Sequence, residues 1–364
     1  MQRLKSLILC SLLVIPSVRV AIFKDLPKLT VEGENLWLLG NEPRPISHFI
    51  DSPALVTSTE NGFKVGSQTF SYPVIKIGSR TEAVEIQGKQ FKGWLEIKKD
   101  SNNQLLVLNE LPLEDYLVGL VHGEIFSSWP EEAIKAQVVA ARTYALFRQK
   151  QRRQSGSYDL ESDTADQVYK GSLGTTQDNI VKEAVDATRG EVLWYLGMFP
   201  AYFHSTCGGQ TEVAPRVWGK KEISSSIIDH YCKDSPHQDW ELTLSHHQLL
   251  NALKNRGLTG SKIVSIQLER FDDSPRNAMI IIETDENNLY LKATDLRNTL
   301  GFKNLKSTWF DVELNNRHVV FKGTGYGHGV GLCQWGAKGM ADQGADYKTI
   351  LEHYYPKATL RKLY

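Results

Sequence analysis

The stretch that decides the fold is LPLEDYLVGLVHGEIFSSWPEEAIKAQVVAARTYALFRQK, Leu111 to Lys150. At its start the texture of the chain changes. LPLEDYLVGLVHGEI reads as a short helix entered after Pro112. SSWPEEAIKAQVVAARTYALFRQK reads as a longer one, with Ser128 as its cap and Glu131 three residues on, the capping-box spacing. Ile134, Val138, Ala141 and Ala145 share one apolar face at helical spacing, while Lys135 and Arg142 share another. A single acid, Glu124, stands between the two helical patterns among small and apolar residues.

Upstream, from Phe23 to about Leu108, short alternating runs are broken by Gly, Asn and Pro. FKVGSQTFSYPVIKIGS and AVEIQGKQFKGWLEIKKDSNNQLLVLNEL are typical, and they predict strands. Downstream, residues 153–175 are polar and turn-rich, and TTQDNIVKEAVDATRG predicts a helix ending at Gly190. EVLWYLGMFPAYFHSTCGG predicts two strands around a turn at Gly197. SHHQLLNALKNRG and LKATDLRNTLG predict helices, with the strands KIVSIQLER and NAMIIIET between them. The C-terminal segment reads as a strand, a glycine-rich loop and two helical pieces. The fold class is therefore α+β: a β-rich N-terminal region over residues 22–106, then a mixed α+β domain over 107–364 with a central cleft.

Composition narrows the function. Of 364 residues, 41% are apolar and 23% charged, as in an ordinary folded protein. Lys+Arg and Asp+Glu both count 42, and the densest basic run, Arg148 to Arg153, follows a helical pattern. That argues against nucleic acid as a partner. The N-terminus, MQRLKSLILCSLLVIPSVRVA, places Arg3 and Lys5 before a short apolar run and Pro16. Residues 1–21 are expected to be a signal peptide or short anchor, too short in its apolar part to span a bilayer as a helix. Export follows, to a periplasm or to the outer face of the cytoplasmic membrane, with membrane contact only through an uncleaved leader. Past the leader the cysteines are Cys207, Cys232 and Cys333, an odd number.

Four groups of residues could carry chemistry. Apolar surroundings at Glu124 disfavour the charged carboxylate and suit an acid that protonates a leaving oxygen; the plain alternative is a polar loop residue. Lys135 and Arg142 could face a cleft, or Lys135 could simply pair with Glu131 four residues back. FHSTCGGQTE, Phe203 to Glu212, sets His204 three residues before Cys207, which is not the spacing of a Cys/His nucleophile. His204, Cys207 and Cys232 with a fourth group such as His230 suit zinc, whereas Cys207 and Cys232 alone suit a disulfide. GTGYGHGVGLCQWGA, Gly323 to Ala337, lacks both the GK[ST] of a P-loop and a dinucleotide fingerprint. Its glycines are expected to let backbone approach a bulky ligand or a second loop, displaying His328, Gln334 and Trp335.

Four segments in order resemble the stage II sporulation protein D group, which includes lytic transglycosylases and amidase-enhancer proteins of the cell wall. They are LPLEDYLVGLVHGEI, WPEEAIKAQVVAARTYAL, FHSTCGGQTE with VWG, and GYGHGVGLCQWGAKGMADQG with YKTILEHYYP, and the likeness runs from about Val107 to the C-terminus. The resemblance implies that residues 107–364 are the catalytic domain and that Glu124 is the catalytic acid, although Ile125 and Phe126 stand where the family has Met-Pro. It implies Lys135 and Arg142 lining the cleft. Tyr169, His204, His328, Gln334 and Trp335 are expected to line the glycan groove. The implied partners are peptidoglycan strands and an amidase. The implied reaction needs no cofactor, and zinc near His204 and Cys207 is a feature of some members. One acid suffices for it, so Asp115, Asp166 and Glu212 are only candidates for a second.

Overall fold

A computed structural model describes residues 16–41, 46–79, 83–153, 156–162, 167, 169, 171, 176–219 and 222–364. Residues 1–15 of the expected leader lie outside the described residues, as do Asp166 and most of the 153–175 loop. The fold is α+β, and the chain divides into two compact units that interleave in sequence. The first holds residues 1–124, 148–191 and 362–364; the second holds 125–147 and 192–361.

The first unit is built on a seven-stranded sheet. Within it the strand Leu105–Pro112 pairs antiparallel with Ser17–Leu26 on one side and Trp94–Lys99 on the other. Val74–Ser79 and then Leu36–Gly40 continue the sheet. Residues 17–21, read from sequence as the end of the leader, form the first half of the Ser17–Leu26 strand, with Val18 and Val20 fully buried. The alternation predicted for this region is the alternation observed. Leu95 and Ile97 lie opposite Ile77 and Ile75, all fully buried, while Glu96 and Lys98 between them reach the surface and pair. A second sheet of four antiparallel strands runs through Lys28–Val31, Ala54–Thr59, Gly62–Val65 and Gln68–Phe70.

Helix α1, Leu113–Glu124, follows directly from the Leu105–Pro112 strand. Helix α2, Glu131–Arg152, comes next, and its last turn from Arg148 belongs to the first unit. Ile134, Val138, Ala141 and Ala145 are all fully buried, as their spacing required. Burial goes further than one face, since residues 133–134 and 136–146 are all buried. The start of α2 differs from expectation. Ser128 does not cap it: it lies in a turn closed by the Trp129 amide on the Phe126 carbonyl. The Pro130 carbonyl instead takes the first amides, those of Ala133 and Ile134. Helix α3, Thr176–Ala187, ends before Gly190 as predicted.

In the second unit, helices α4 (Ala214–Trp218), α5 (His246–Leu253), α6 (Ala293–Leu300), α7 (Gln334–Asp342) and α8 (Tyr347–Tyr354) surround short sheets. One apolar core gathers Leu249, Leu253, Ile280, Ile282, Leu296, Phe310 and Phe321 within residues 240–321. A second gathers Ala136, Val139, Ala140, Leu332, Ala337, Ile350 and Tyr354 with Cys207, Cys232 and Cys333. The two strands expected around Gly197 do not pair with each other. Phe203–His204 pairs in parallel with Leu332–Cys333, more than a hundred residues on. Among the described residues, no helix is long and apolar enough to cross a membrane.

Candidate functional site

Glu124 is the last residue of α1, partly exposed, where the chain leaves the helix for the turn at Phe126. Gly119 in the middle of α1 has a packing reason. A Cβ there would lie 2.6 Å from the Gly171 carbonyl oxygen and 2.8 Å from the Tyr169 ring. Tyr169 therefore does not line an open groove. Its ring is buried against Tyr116 at 5.2 Å, and its hydroxyl donates to Asn109 Oδ1 at 2.8 Å. A phenol tolerates burial when its hydroxyl has an acceptor, which Asn109 supplies. Asp115 is exposed in the first turn of α1.

In the second unit Lys135 is held by its own helix. Its Nζ lies 2.7 Å from Glu131 and 2.9 Å from Glu132, and these two hydrogen bonds raise its pKa. Arg142 is fully buried in α2. Glu212 is also buried and fully occupied. One oxygen accepts from the Val213 amide and Arg216, the other from the Ser274 hydroxyl.

The glycine-rich strap Gly323–Gly331 packs on a second loop rather than standing open. Bridges join Thr206 to Tyr326 and Glu212 to Val330. At Gly327 a Cβ would sit 2.8 Å from that of His204, and at Gly331 it would sit 2.0 Å from the Tyr202 carbonyl oxygen. Both glycines have positive φ, 118° and 73°, which a side chain would also strain.

This packing brings His204 and His328 together, ring centroids 5.5 Å apart. His328 Nδ1 accepts from the Val330 amide at 3.0 Å, and His204 Nδ1 reaches the Val330 carbonyl at 3.2 Å. The carbonyl can only accept, so His204 carries its proton on Nδ1 and leaves Nε2 as a buried acceptor with no partner. Burial first, then the Arg297 and Arg276 charges, pushes His328 down to about 3. Burial, His328 and Arg276 lower His204 as well. Both rings are neutral at ordinary pH. Trp218 and Tyr202 flank them, 4.4 Å apart, and Trp218 stands 4.9 Å from His328.

Gln334 and Trp335 part company. Gln334 is buried at the start of α7 rather than displayed. Trp335 stays half-exposed, edge-on to Trp129 at 5.1 Å, with Phe126 6.0 Å beyond and 66% exposed. Lys338 Nζ lies 5.9 Å over the Trp335 ring. Phe126, Trp129 and Trp335 thus form a surface run of aromatics. Phe126 and Trp129 both lie in GEIFSSWP, where spacing alone does not reveal that Trp335 joins them.

The cysteines meet in a different constellation from the one expected. Cys207, Cys232 and Cys333 converge with Asp229, all buried, their ligand atoms within 4.8 Å of one another. His204 is turned to Val330, and His230 is exposed while Asp229 beside it points inward. Cys207 and Cys232 are free thiols with sulfurs 3.5 Å apart, not a disulfide, whose bond is near 2.05 Å. Hydrogen bonds from Cys207, then Cys333, lower the Cys232 thiol, and the Cys207 thiol is raised in turn.

Residues 101–195 match the family described as Stage II sporulation protein. That span contains Glu124, Lys135, Arg142 and Tyr169. The chain is 30% identical to the stage II sporulation protein D of Bacillus subtilis over 262 residues, 68% of this chain and 74% of that one. The chain belongs to the stage II sporulation protein D family. An uncharacterized protein of Brachyspira hyodysenteriae is 35% identical over 255 residues, covering 70% of this chain and 68% of its own. The amidase enhancer of Bacillus subtilis is 31% identical over 67% of this chain, which spans only 40% of that longer protein. Residues 219–331, including Asp229, Cys232 and His328, match a family described as a domain of unknown function (DUF8618).

Proposed function

We propose that the protein is an exported lytic transglycosylase that cleaves the β-1,4 bond between N-acetylmuramic acid and N-acetylglucosamine in peptidoglycan. The observation that carries this reading is Glu124, a partly exposed carboxyl at a helix end inside the segment that matches the family. Glu124 donates its proton to the glycosidic oxygen. An oxocarbenium-like state develops on the muramic acid, and the sugar's own C6 hydroxyl attacks it. Glu124 takes the proton from that hydroxyl, and a 1,6-anhydro ring closes.

No second carboxylate is needed, unlike the two-acid hydrolases. That agrees with Glu212 being occupied by Arg216, Ser274 and its own loop. The run Phe126, Trp129 and Trp335 supports the substrate class, since sugar ring faces are apolar and stack on aromatic rings. Lys135 would hold charged or polar groups of the glycan, whereas Arg142, expected beside it in the cleft, is fully buried and acts only from behind the surface; the preferred strands would be those without stem peptides.

The test incubates purified protein with stripped glycan strands and looks for anhydro-muramic ends by mass spectrometry. The wild type should produce them and Glu124→Gln should not. No ends from the wild type, or as many from Glu124→Gln, would sink the reading. The name of the amidase-enhancer relative supports a second reading, a non-catalytic wall-binding protein. It predicts no anhydro ends, together with faster stem-peptide release when a cell-wall amidase is added.

A further inference from the structure

We propose that Cys207, Asp229, Cys232 and Cys333 bind one zinc ion in a closed, structural site. The ligands come from three distant segments: the end of the Phe203–His204 strand, the polar loop at 229–232, and the junction of Leu332–Cys333 with α7. Four donors within 4.8 Å of one another suit a tetrahedron around a single ion. Three sulfurs with one carboxylate oxygen favour a borderline-soft ion over magnesium or calcium. All four are buried, which suits a structural rather than a catalytic centre.

The surroundings are those of thiolates, not of thiols packed as small apolar groups. Backbone amides point at the sulfurs. Cys207 N–H approaches Cys333 Sγ at 3.2 Å, Gly209 N–H approaches Cys207 Sγ at 3.3 Å, and Gly336 N–H approaches Cys333 Sγ at 3.4 Å. Asp229 is oriented in the manner of a ligand, with its Oδ1 accepting from the Tyr231 amide and its Oδ2 from the Tyr354 hydroxyl at 2.9 Å. Gly336 makes room for this: a Cβ there would lie 2.3 Å from Asp229 Oδ2 and 1.9 Å from the Tyr354 hydroxyl.

A charge argument points the same way. Arg276 is 1% exposed, donates to the Cys207 carbonyl at 2.7 Å, and leaves Nε and Nη1 without partners. A buried guanidinium needs nearby negative charge. Glu212, a carboxylate outside the cluster that acts on Arg276, is already paired with Arg216. Three thiolates and a carboxylate around a dication carry a net charge of −2 and supply what Arg276 lacks. Without a cation, three thiolates and a carboxylate would repel one another at this distance, and the sulfurs would stay protonated and give Arg276 no charge. A Cys207–Cys232 disulfide would neutralise two sulfurs and leave Cys333, Asp229 and the three amides without a purpose.

This inference does not rest on the glycan-cleaving reading, and Glu124→Gln should keep its zinc. Protein purified without chelator should contain one zinc per chain by elemental analysis. Denaturing intact mass should show Cys207, Cys232 and Cys333 all alkylated. Cys333→Ser and Asp229→Ala should each lose most of the zinc, with Tm falling by roughly 10 °C or more. His204→Ala should retain it. If the ligand variants do not fold, X-ray absorption on the wild type decides, with three sulfurs near ~2.3 Å and one oxygen near ~2.0 Å expected. Metal far below one equivalent together with a Cys207–Cys232 disulfide would overturn the proposal. So would imidazole scattering at the zinc, or zinc lost from His204→Ala and kept in Cys333→Ser.

Discussion

Glu124 and the glycine strap at 323–331 are placed in opposite ways. Glu124 ends a helix of 12 residues and sits partly exposed there. The strap owes its position to residues 202–212, more than a hundred residues away, and its end, Gly329 to Gly331, is buried. A residue placed locally at a surface can change its chemistry and leave the fold alone. A residue placed by distant backbone cannot. Chemistry is therefore expected to be separable from stability at the first region and inseparable at the second.

The largest effect tests the first half of that contrast. Glu124→Gln keeps the shape of the side chain and removes the proton. It should cut anhydro-end formation by about 10²–10⁴-fold, the usual worth of a positioned acid, while Tm moves by no more than a degree or two. An equally large fall in Tm would mean that Glu124 is structural, and the contrast would fail at its first term.

The next effect tests the strap. Gly331→Ala adds a Cβ 2.0 Å from the Tyr202 carbonyl at a φ of +73°. It should cost about 2–4 kcal/mol by denaturant unfolding, more than the backbone penalty alone. Gly344 is the control. Its φ is +89° and nothing lies within 4 Å of its Cβ position. Gly344→Ala should therefore cost only about 1–2 kcal/mol. Equal losses at the two sites would show that the strap is not held by close approach to residues 202–207.

The same contrast explains what could be read from the sequence. The buried positions of α2 and the strands at 74–79 and 94–99 follow from periodicity within single elements, and they were legible. So were the limits of α3 at Gly190 and of α5, where Ser245 and Gln248 form the capping box that Ser128 and Glu131 do not. The glycines of the strap announced a close approach, but naming its partner required the pairing of His204 with Cys333. Asp229 was one acid in a polar loop until Cys207 and Cys333 arrived beside it, so His204, nearer in sequence to Cys207, was favoured in its place. Tyr169 reads like any exposed aromatic, and only the acceptor on Asn109 puts it inside. Glu124 carried almost no local signal. The order of four motifs singled it out.

A smaller effect concerns acid stability. His328 is neutral in the folded protein and titrates at about 3, whereas in the unfolded chain it titrates near ~6.5. Its folded pKa is depressed, so the unfolded state takes up the proton first as pH falls. Stability is unaffected above about 6.5 and drops from there towards about 3, by at most ~1.4 kcal/mol per pH unit for one such group. His204, lowered by burial, adds to the slope with the same sign. His328→Asn keeps an acceptor for the Val330 amide and removes the titration. Its Tm should fall less steeply than the wild type's between pH 6 and 4. An unchanged slope would mean that the strap admits the proton, and with it water.

The smallest effect falls on Lys135, which belongs to both halves of the comparison. It is held by Glu131 and Glu132 on its own helix, a local placement, and it is also proposed to meet the glycan. Ion pairs with partly exposed carboxylates contribute about 0.2–1 kcal/mol and weaken with salt. Lys135→Gln should lower stability within that range, and the loss should shrink in high salt. If the side chain serves only its helix, turnover of glycan strands should be unaltered at every substrate concentration. If it also holds the glycan, KM should rise several-fold with kcat little changed, because the interaction would be present before and during bond cleavage alike. A fall in kcat with KM unchanged would instead give Lys135 a part in the bond-breaking step, and the sole acid/base role assigned to Glu124 would have to be shared.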